Sequence, residues 1–324
     1  MPTNVTAQYR AAEAAYRAAK TIDERRAALE EMLATVPKHK GTEKLQADIK
    51  RRLARLRQEA ERRPSHKGHS VHVEPEGAAQ VVLLGPPNAG KSSLLAALTH
   101  ATPNIADYPF ATTKPQPGMM RFEDVQIQLV DLPPITAEHM DTWLPNVVQT
   151  SDAAVLLADP SNQDTLAGIE IIRERMAAVH LPLVGELPEG VDPREMPLPT
   201  LLVITKADLV GPGDLEVLEE LYGQIYRTVR FSATKHIGHQ QFRIDLWKLL
   251  QLIRVYTKPP GKKAERSDPF VLHIGSTVHD LADRIHADLA GKLAYARVWG
   301  GKIEGQRVSR DFELRDRDLV ELAT

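Results

Sequence analysis

The middle of the chain alternates short apolar runs with amphipathic segments. Four runs rich in Val, Leu, Ile and Ala predict buried strands: 81–84, 125–130, 153–157 and 201–204. Four segments with apolar residues at helical spacing predict helices: 92–98, 166–178, 215–222 and 242–256. Strands alternating with helices predict an α/β domain whose mostly parallel sheet carries helices on both faces. Residues 181–199 contain several prolines and are predicted to form a surface loop.

The N-terminal part of the chain has a purely helical pattern. One helix is predicted to begin after Thr21 and to end before Pro37. In a second predicted helix, the apolar residues that recur on one face are Leu45, Ile49, Leu53 and Leu56. We therefore interpret residues 1–77 as a helical hairpin followed by a hinge at 64–77.

The C-terminal part is a short mixed segment. Residues 258–268 begin with the sequence KPPGKK, in which the prolines end the preceding helix, so this stretch is predicted to be a linker. Residues 269–324 contain a strand at 270–273, a helix from Thr277 to near Gly291, and three further strand-like pieces. This pattern predicts a small α+β domain after a central domain that spans 78–257.

Composition and charge narrow the functional classes. The chain has 324 residues and no cysteine, which excludes disulfides and thiolate sites. No apolar run approaches the roughly 20 residues that cross a bilayer, and the first residues lack an apolar signal segment. We therefore expect a cytoplasmic protein without a membrane partner. The net charge is only −2, yet residues 1–77 carry 16 Lys and Arg against 11 Asp and Glu, whereas 78–257 carry 13 against 21.

The sharpest motif is GPPNAGKS at residues 85–92, between a predicted strand and a predicted helix. This spacing is typical of a loop whose backbone N–H groups surround phosphate oxygens. Lys91 is expected to contact the β- and γ-phosphates, and the Ser92 hydroxyl to bind Mg²⁺. The alternative is a glycine turn that merely joins a strand to a helix. The predicted nucleotide-binding residues of this segment are Pro87, Asn88, Ala89, Gly90, Lys91, Ser92 and Ser93.

Thr205, Lys206 and Asp208 belong to a TKAD segment that follows the predicted strand 201–204. A carboxylate at this place can accept hydrogen bonds from guanine N1–H and from its amino group, which adenine lacks, so the motif favours GTP. Lys206 is expected to pack its stem along the base. Alternatively, the segment is a strand-end loop with a solvated carboxylate, and the protein is an ATPase.

Three weaker signals lie in a matching order along the chain. Asp131 ends the strand 125–130 and is placed to hold the Mg²⁺ shell through water. The segment YPFATT at 108–113 supplies threonines that can sense a γ-phosphate. Ser232, Ala233 and Thr234 follow another strand and can present backbone N–H groups to guanine O6.

These motifs resemble those of the Obg family of GTPases, particularly the developmentally regulated GTP-binding proteins. GPPNAGKS, YPF-x-T and V-D-L-P recur there, and the tail from Phe270 to Gly300 is similar to a ubiquitin-like TGS domain. The resemblance implies hydrolysis of GTP to GDP, with catalytic roles for Lys91, Thr112 and Asn88. It assigns Thr112 to Mg²⁺ and gives Asn88 a part in holding K⁺, although Asn88 is equally well explained as a turn residue.

One residue departs from the family pattern. Where the family has D-x-P-G, this chain has Asp131, Leu132, Pro133 and Pro134. Proline lacks the N–H group that the glycine donates to the γ-phosphate, so switching at this segment is expected to be weak. Ile135 also replaces the glutamine that orients water in Ras-like enzymes. We expect slow intrinsic hydrolysis that needs an activating or stabilising protein partner.

The basic N-terminal segment suggests a second partner. Residues 36–68 hold 11 Lys and Arg against 4 Asp and Glu, a balance suited to a phosphate backbone. The alternative is the solvated face of an amphipathic hairpin. The predicted RNA contacts are Arg51, Arg52, Arg55 and Arg57. Two hypotheses follow: a GTPase that cycles on the ribosome or RNA, or an RNA-docking module that binds nucleotide with little hydrolysis.

Overall fold

The computed structural model forms two compact units, Met1–Ser70 and Val71–Thr324. It describes the following residues: 8, 12, 14–16, 22–36, 49, 51, 71–99, 101, 114–188, 190, 192–259, 268–301 and 303–323.

The first unit contains helix α1 (Ile22–Thr35), as the sequence predicts. Leu29 and Met32 of α1 pack with Ala12, Val36 and Ile49 in a small buried cluster. Ile49 belongs to the predicted apolar stripe, whereas Leu45, Leu53 and Leu56 lie outside the described residues. The helical hairpin therefore stays a prediction.

The second unit begins with a seven-stranded sheet. Its strands are β1 (Gln80–Leu84), β2 (Gln116–Phe122), β3 (Val125–Asp131), β4 (Ala153–Ala158), β5 (Leu183–Val184), β6 (Leu198–Ile204) and β7 (Arg227–Arg230). The order is β2-β3-β1-β4-β6, and both β5 and β7 pair with β6 along its outer side. Every pair is parallel except β2 with β3. The predicted parallel sheet is confirmed, and β2 is a strand that the hydrophobic pattern did not reveal.

Helices cover both faces of this sheet, and they have the following bounds: α2 (Lys91–Leu98), α3 (Leu144–Gln149), α4 (Thr165–Ala178), α5 (Pro212–Tyr222) and α6 (His239–Leu250). Alternate residues of each strand enter opposite cores because successive side chains point to opposite faces. Val82 and Leu84 of β1 contact the cluster that holds α3, α4 and α5. Val81 and Leu83 contact the cluster that holds α2 and α6.

The C-terminal part forms a second sheet with helices on one face. Its elements are β8 (Leu252–Thr257), β9 (Phe270–His273), α7 (Val278–Ile285), α8 (Ala287–Lys292), β10 (Tyr295–Gly300), β11 (Ile303–Val308) and β12 (Asp318–Ala323). The strand order is β11-β10-β12-β8-β9, with β8 and β12 parallel. Thr277 caps α7, because its hydroxyl accepts from the N–H of Asp280, whose carboxylate accepts from the N–H of Thr277.

Three predictions about boundaries are corrected by this arrangement. The helix predicted at 242–256 ends at Leu250, because Gln251 adopts a left-handed φ of 51°. The following strand β8 pairs with β9 and β12, so the C-terminal domain begins at Leu252 and not after the predicted linker. The predicted hinge is also too long: Val73 is buried in the core of the second unit and its carbonyl accepts from Gln80 Nε2.

The predicted loop at 181–199 is interrupted by β5 and by the start of β6. Among the described residues, no helix has the length and apolar character needed to cross a bilayer.

Candidate nucleotide-binding site

The motif 85–92 joins the end of β1 to the start of α2, as predicted. Asn88 and Gly90 adopt left-handed φ angles of 60° and 90°. The second conformation favours glycine because a side chain there is sterically strained. Two left-handed residues in this short loop turn the chain sharply before Lys91 begins the helix. The N-terminus of α2 is thereby directed at the loop, the usual geometry of an anion site.

Lys91 lies inside this loop. Its Nζ donates to the carbonyl oxygens of Gly85 and Pro86, each at 3.0 Å, and only 7% of the residue is exposed. Burial lowers the pKa of Lys91 to about 8, while the charge of Asp131 raises it. A phosphate bound beside the ammonium group would raise this pKa again, so that Lys91 would be fully protonated.

Ser92 and Asp131 provide two neighbouring oxygen ligands. Ser92 Oγ donates to Asp131 Oδ2 at 2.5 Å, and Asp131 is fully buried at the end of β3. A hydroxyl beside a carboxylate is a donor set that suits the hard cation Mg²⁺. Thr112, predicted to complete this set, lies outside the described residues together with 102–111 and Thr113.

Thr205 connects the end of β6 to the phosphate loop. Its Oγ1 donates to the Ala89 carbonyl at 2.9 Å and to the Ala158 carbonyl at 3.1 Å, and the residue is 3% exposed. The hydroxyl at the end of β6 therefore stabilises the backbone of the loop 85–92. The sequence predicted Thr205 as a nucleotide-binding residue, and the structure shows the loop contact through which it can act.

Lys206 forms an ion pair with Asp159, which the sequence analysis did not predict as a site residue. Its Nζ lies 2.6 Å from Asp159 Oδ2, and its backbone is left-handed with a φ of 52°. Asp159 is 5% exposed and also accepts from the N–H and the hydroxyl of Ser161. The sequence does contain a signal, because Asp159 directly follows an apolar strand just as Asp131 does.

Asp208 lies beside the loop that follows β7. Thr234 Oγ1 donates to Asp208 Oδ2 at 3.4 Å, and the Ala207 N–H donates to the Phe231 carbonyl at 3.1 Å. Hydrogen bonding from Ser232 lowers the pKa of Asp208. The structure thus brings the TKAD segment and the loop containing Ser232, Ala233 and Thr234 together, as the proposed guanine site requires.

His239 at the start of α6 supports this loop and was also missed. Its Nε2 lies 3.1 Å from the Ser232 carbonyl oxygen, and its ring stacks on Phe231 with centroids 4.7 Å apart. Burial lowers the pKa of His239, which favours the neutral ring. A neutral ring with its proton on Nε2 can donate to the carbonyl and fix the loop.

Residues after Asp131 are packed into the core. Pro134 is buried, and Ile135 is 1% exposed in the cluster that includes Leu144 and Val148. A buried aliphatic side chain has no group that can orient an attacking water. The sequence-based expectation about Ile135 therefore agrees with its position.

The remaining predicted site residues differ in their exposure to solvent. Asn88 is exposed, Pro87 and Ser93 are half-buried, and Ala89 is buried. Arg51 is exposed in the first unit. Arg52, Arg55 and Arg57 lie outside the described residues, so the arginine cluster stays a prediction.

Comparisons with known proteins agree with this geometry. A family model described as a 50S ribosome-binding GTPase matches residues 80–184, and a TGS-domain model matches 253–324. The chain contains a GTPase domain followed by a TGS domain, and its relatives include GTP-binding proteins of the developmentally regulated type. This narrower type is what the comparisons support, rather than the broader Obg name. The TGS match begins within β8, in agreement with the corrected boundary.

Relatives of this GTPase align along nearly its whole length. A GTP-binding protein of Methanocaldococcus jannaschii is 28% identical over 92% of each chain. Developmentally-regulated G-protein 3 of Arabidopsis thaliana is 26% identical over 93% of this chain and 98% of its own. The crystal structure of a GTP-binding protein from Pyrococcus horikoshii superposes with a TM-score of 0.51 at 17% identity, over 76% of this chain and 99% of its own. That last likeness supports the fold alone.

Proposed function

We propose that this GTPase binds GTP between 85–92 and 205–208, hydrolyses it slowly, and regulates a ribosome- or RNA-associated step. The observation that carries the proposal is the convergence of three side-chain groups at one edge of the sheet. Lys91 and Ser92 follow β1, Asp131 ends β3 and bonds Ser92, and Asp208 follows β6. Ligands of open α/β sheets bind at the carboxyl ends of the strands, where these groups lie.

Each group has a separate task in this proposal. Lys91 and the N–H groups of 87–93 bind the β- and γ-phosphates, and Asp208 accepts from the guanine edge. The loop with Ser232, Ala233 and Thr234 donates to guanine O6. Ser92 and Asp131, with Thr112, hold Mg²⁺, which when bound neutralises phosphate charge. Asn88 is proposed to help hold K⁺.

The slow rate is inferred from the segment after Asp131. Pro134 has no N–H group to donate to a γ-phosphate, and Ile135 has no polar group for a water. A protein partner that supplies the missing contacts is therefore part of the proposal. The second candidate, a nucleotide-binding docking module with little hydrolysis, is favoured by the same proline.

The role on the ribosome or RNA is supported by charge and by relatedness. The family model matching 80–184 describes ribosome-binding GTPases, and the segment 36–68 is strongly basic. Arginines that neutralise phosphates release counterions, so binding should weaken steeply with salt. Reversing Arg51, Arg52, Arg55 and Arg57 to Glu is expected to weaken ribosome co-sedimentation and to flatten its salt dependence. Unchanged co-sedimentation across a salt series would reject this contact.

The central experiment measures binding and single-turnover hydrolysis together. We expect GTP to bind in preference to ATP, and Asp208→Ala to remove that preference. Asp214→Ala changes an exposed carboxylate in the first turn of α5 and is the matched control. Tight ATP binding unaffected by Asp208→Ala would establish the ATPase alternative.

Hydrolysis is then followed in KCl and in NaCl, with and without ribosomes. Turnover that is slow alone and faster in KCl or with ribosomes supports the GTPase. No cleavage above background in any condition would leave the docking module as the function.

A further inference from the structure

The β2–β3 hairpin spans the distance from the nucleotide site to the TGS domain. At one end, Asp131 bonds Ser92 and pairs with Gln116, the first residue of β2. At the other end, Glu123 and Asp124 form the turn between the two strands. Each strand has seven residues and is roughly 20 Å long. The hairpin therefore connects the nucleotide site directly to the TGS domain.

Arg254 of the TGS strand β8 holds the far end of this hairpin. Its Nη1 contacts Glu123 and lies 3.0 Å from Asp124 Oδ1. Its Nη2 lies 2.7 Å from Asp316 Oδ2 within the TGS domain. The Arg254 side chain is only 4% exposed, so a buried guanidinium bridges carboxylates of both domains.

Aromatic rings and further hydrogen bonds complete the contact. The Arg254 guanidinium lies 5.8 Å from the Phe122 ring centroid and 5.4 Å from that of Trp247. These two rings, from β2 and α6, stack at 5.0 Å. On the TGS side, the Tyr256 hydroxyl donates to Asp124, and Arg317 Nη2 lies 2.5 Å from Glu123. We call this set of residues the Arg254 clamp.

The clamp resists separation of the hairpin turn from β8. A buried guanidinium that loses one of its carboxylates remains desolvated and underpaired, which is strongly unfavourable. Arg254 and Tyr256, both in β8, donate hydrogen bonds to the Asp124 carboxylate in the turn. A shift of the turn would therefore break these bonds or move β8. The hydrogen bonds of β3 and of Asp124 therefore connect the position of Asp131 to that of β8.

We propose that Arg254 is a positioning residue that couples the TGS domain to the nucleotide state through the β2–β3 hairpin. This inference rests on the proposed binding of guanine nucleotides at Asp131 and Ser92. Because coupling between two sites is reciprocal, a partner that displaces the TGS domain changes the relative affinities for GTP and GDP. The TGS domain then regulates the affinity of the GTPase domain for its nucleotides.

The test uses the full chain and two variants on opposite sides of the clamp. Arg254→Met removes the guanidinium from the TGS side, and Asp124→Asn removes one carboxylate charge from the hairpin side. Affinities for GDP and for a non-hydrolysable GTP analogue are measured by calorimetry. We expect the ratio of the two affinities to change by about fivefold or more in both variants. Arg254→Lys, which keeps the charge without the planar fork, should give an intermediate ratio.

The matched control is Lys258→Met. Lys258 Nζ lies 2.7 Å from Glu321 and 4.0 Å from the Trp299 ring centroid, so this ion pair joins the residue after β8 to β12 within the TGS domain. The variant should lower TGS stability while leaving the affinity ratio within about twofold of wild type. Hydrogen exchange in β12 should differ between the GDP and GTP-analogue forms of the wild type, and this difference should disappear in Arg254→Met.

The outcomes separate the two proposals. An unchanged ratio in both clamp variants, or an equal change in Lys258→Met, overturns the coupling. If the wild type binds neither guanine nucleotide, the proposed function fails first. If Arg254→Met does not fold, Tyr256→Phe removes the hydroxyl that donates to Asp124 and should shift the ratio in the same direction. No shift there or in Asp124→Asn also overturns the proposal.

Discussion

Thr205→Val isolates a single hydroxyl that braces the phosphate loop. Valine has nearly the same shape but cannot donate to the carbonyls of Ala89 and Ala158, which lie 2.9 and 3.1 Å from Thr205 Oγ1. The Ala158 carbonyl keeps a partner because the Thr205 N–H also donates to it at 2.8 Å. The main loss is therefore the link to Ala89 in the loop.

The expected magnitude follows from the burial of that bond. Removing one partner of a buried hydrogen bond costs about 1–3 kcal/mol in the free energy of unfolding. Nucleotide binding requires an ordered loop, so much of this cost should reappear as weaker binding. Since 1.4 kcal/mol corresponds to a factor of ten, we expect GTP affinity to fall about tenfold.

The control lies on the same strand. Thr200 is fully buried in β6, and its Oγ1 donates to the Leu198 carbonyl at 2.8 Å, away from the loop. Thr200→Val should lower stability in urea unfolding while changing GTP affinity by less than about twofold. Titrations with a fluorescent GTP analogue measure both variants. Equal losses of affinity in the two, or wild-type binding by Thr205→Val, would refute the bracing role.

Two further predictions concern Lys91 and Pro134. With a pKa of about 8, Lys91 is half neutral at pH 8, and phosphate should recharge it. Binding should therefore take up about half a proton at pH 8 and weaken at higher pH, seen by calorimetry in buffers of different ionisation enthalpy; buffer-independent heats would contradict this. Pro134→Gly supplies an N–H group and should strengthen switching. Its GDP and GTP-analogue forms should then differ in protease pattern, and identical patterns would count against that account.

The sequence by itself predicted where the motifs of the proposed nucleotide site lie in the fold. The phosphate loop, Asp131 and the TKAD segment each follow a strand of the alternating α/β pattern, and parallel strands bring their carboxyl ends to one edge. The local sequence was sufficient there, because glycine, lysine and serine at this fixed spacing predict a phosphate loop within one strand–turn–helix segment. The same locality explains why α7 begins at Thr277, where the cap lies within one turn of the helix.

Tertiary structure decided the partners of these groups. Asp159 and His239 are ordinary residues in the sequence, and only the packing of β4 and α6 places them against Lys206 and Ser232. The strand β8 was wrongly included in a helix because a short, mostly apolar run that directly continues a helical pattern does not by itself separate strand from helix. Pairing with β9 and β12 decides between them. The Arg254 clamp joins residues more than a hundred positions apart, whose charges give no local signal. Burial of that arginine among carboxylates from two domains makes the contact specific, and burial is a property of the folded chain alone.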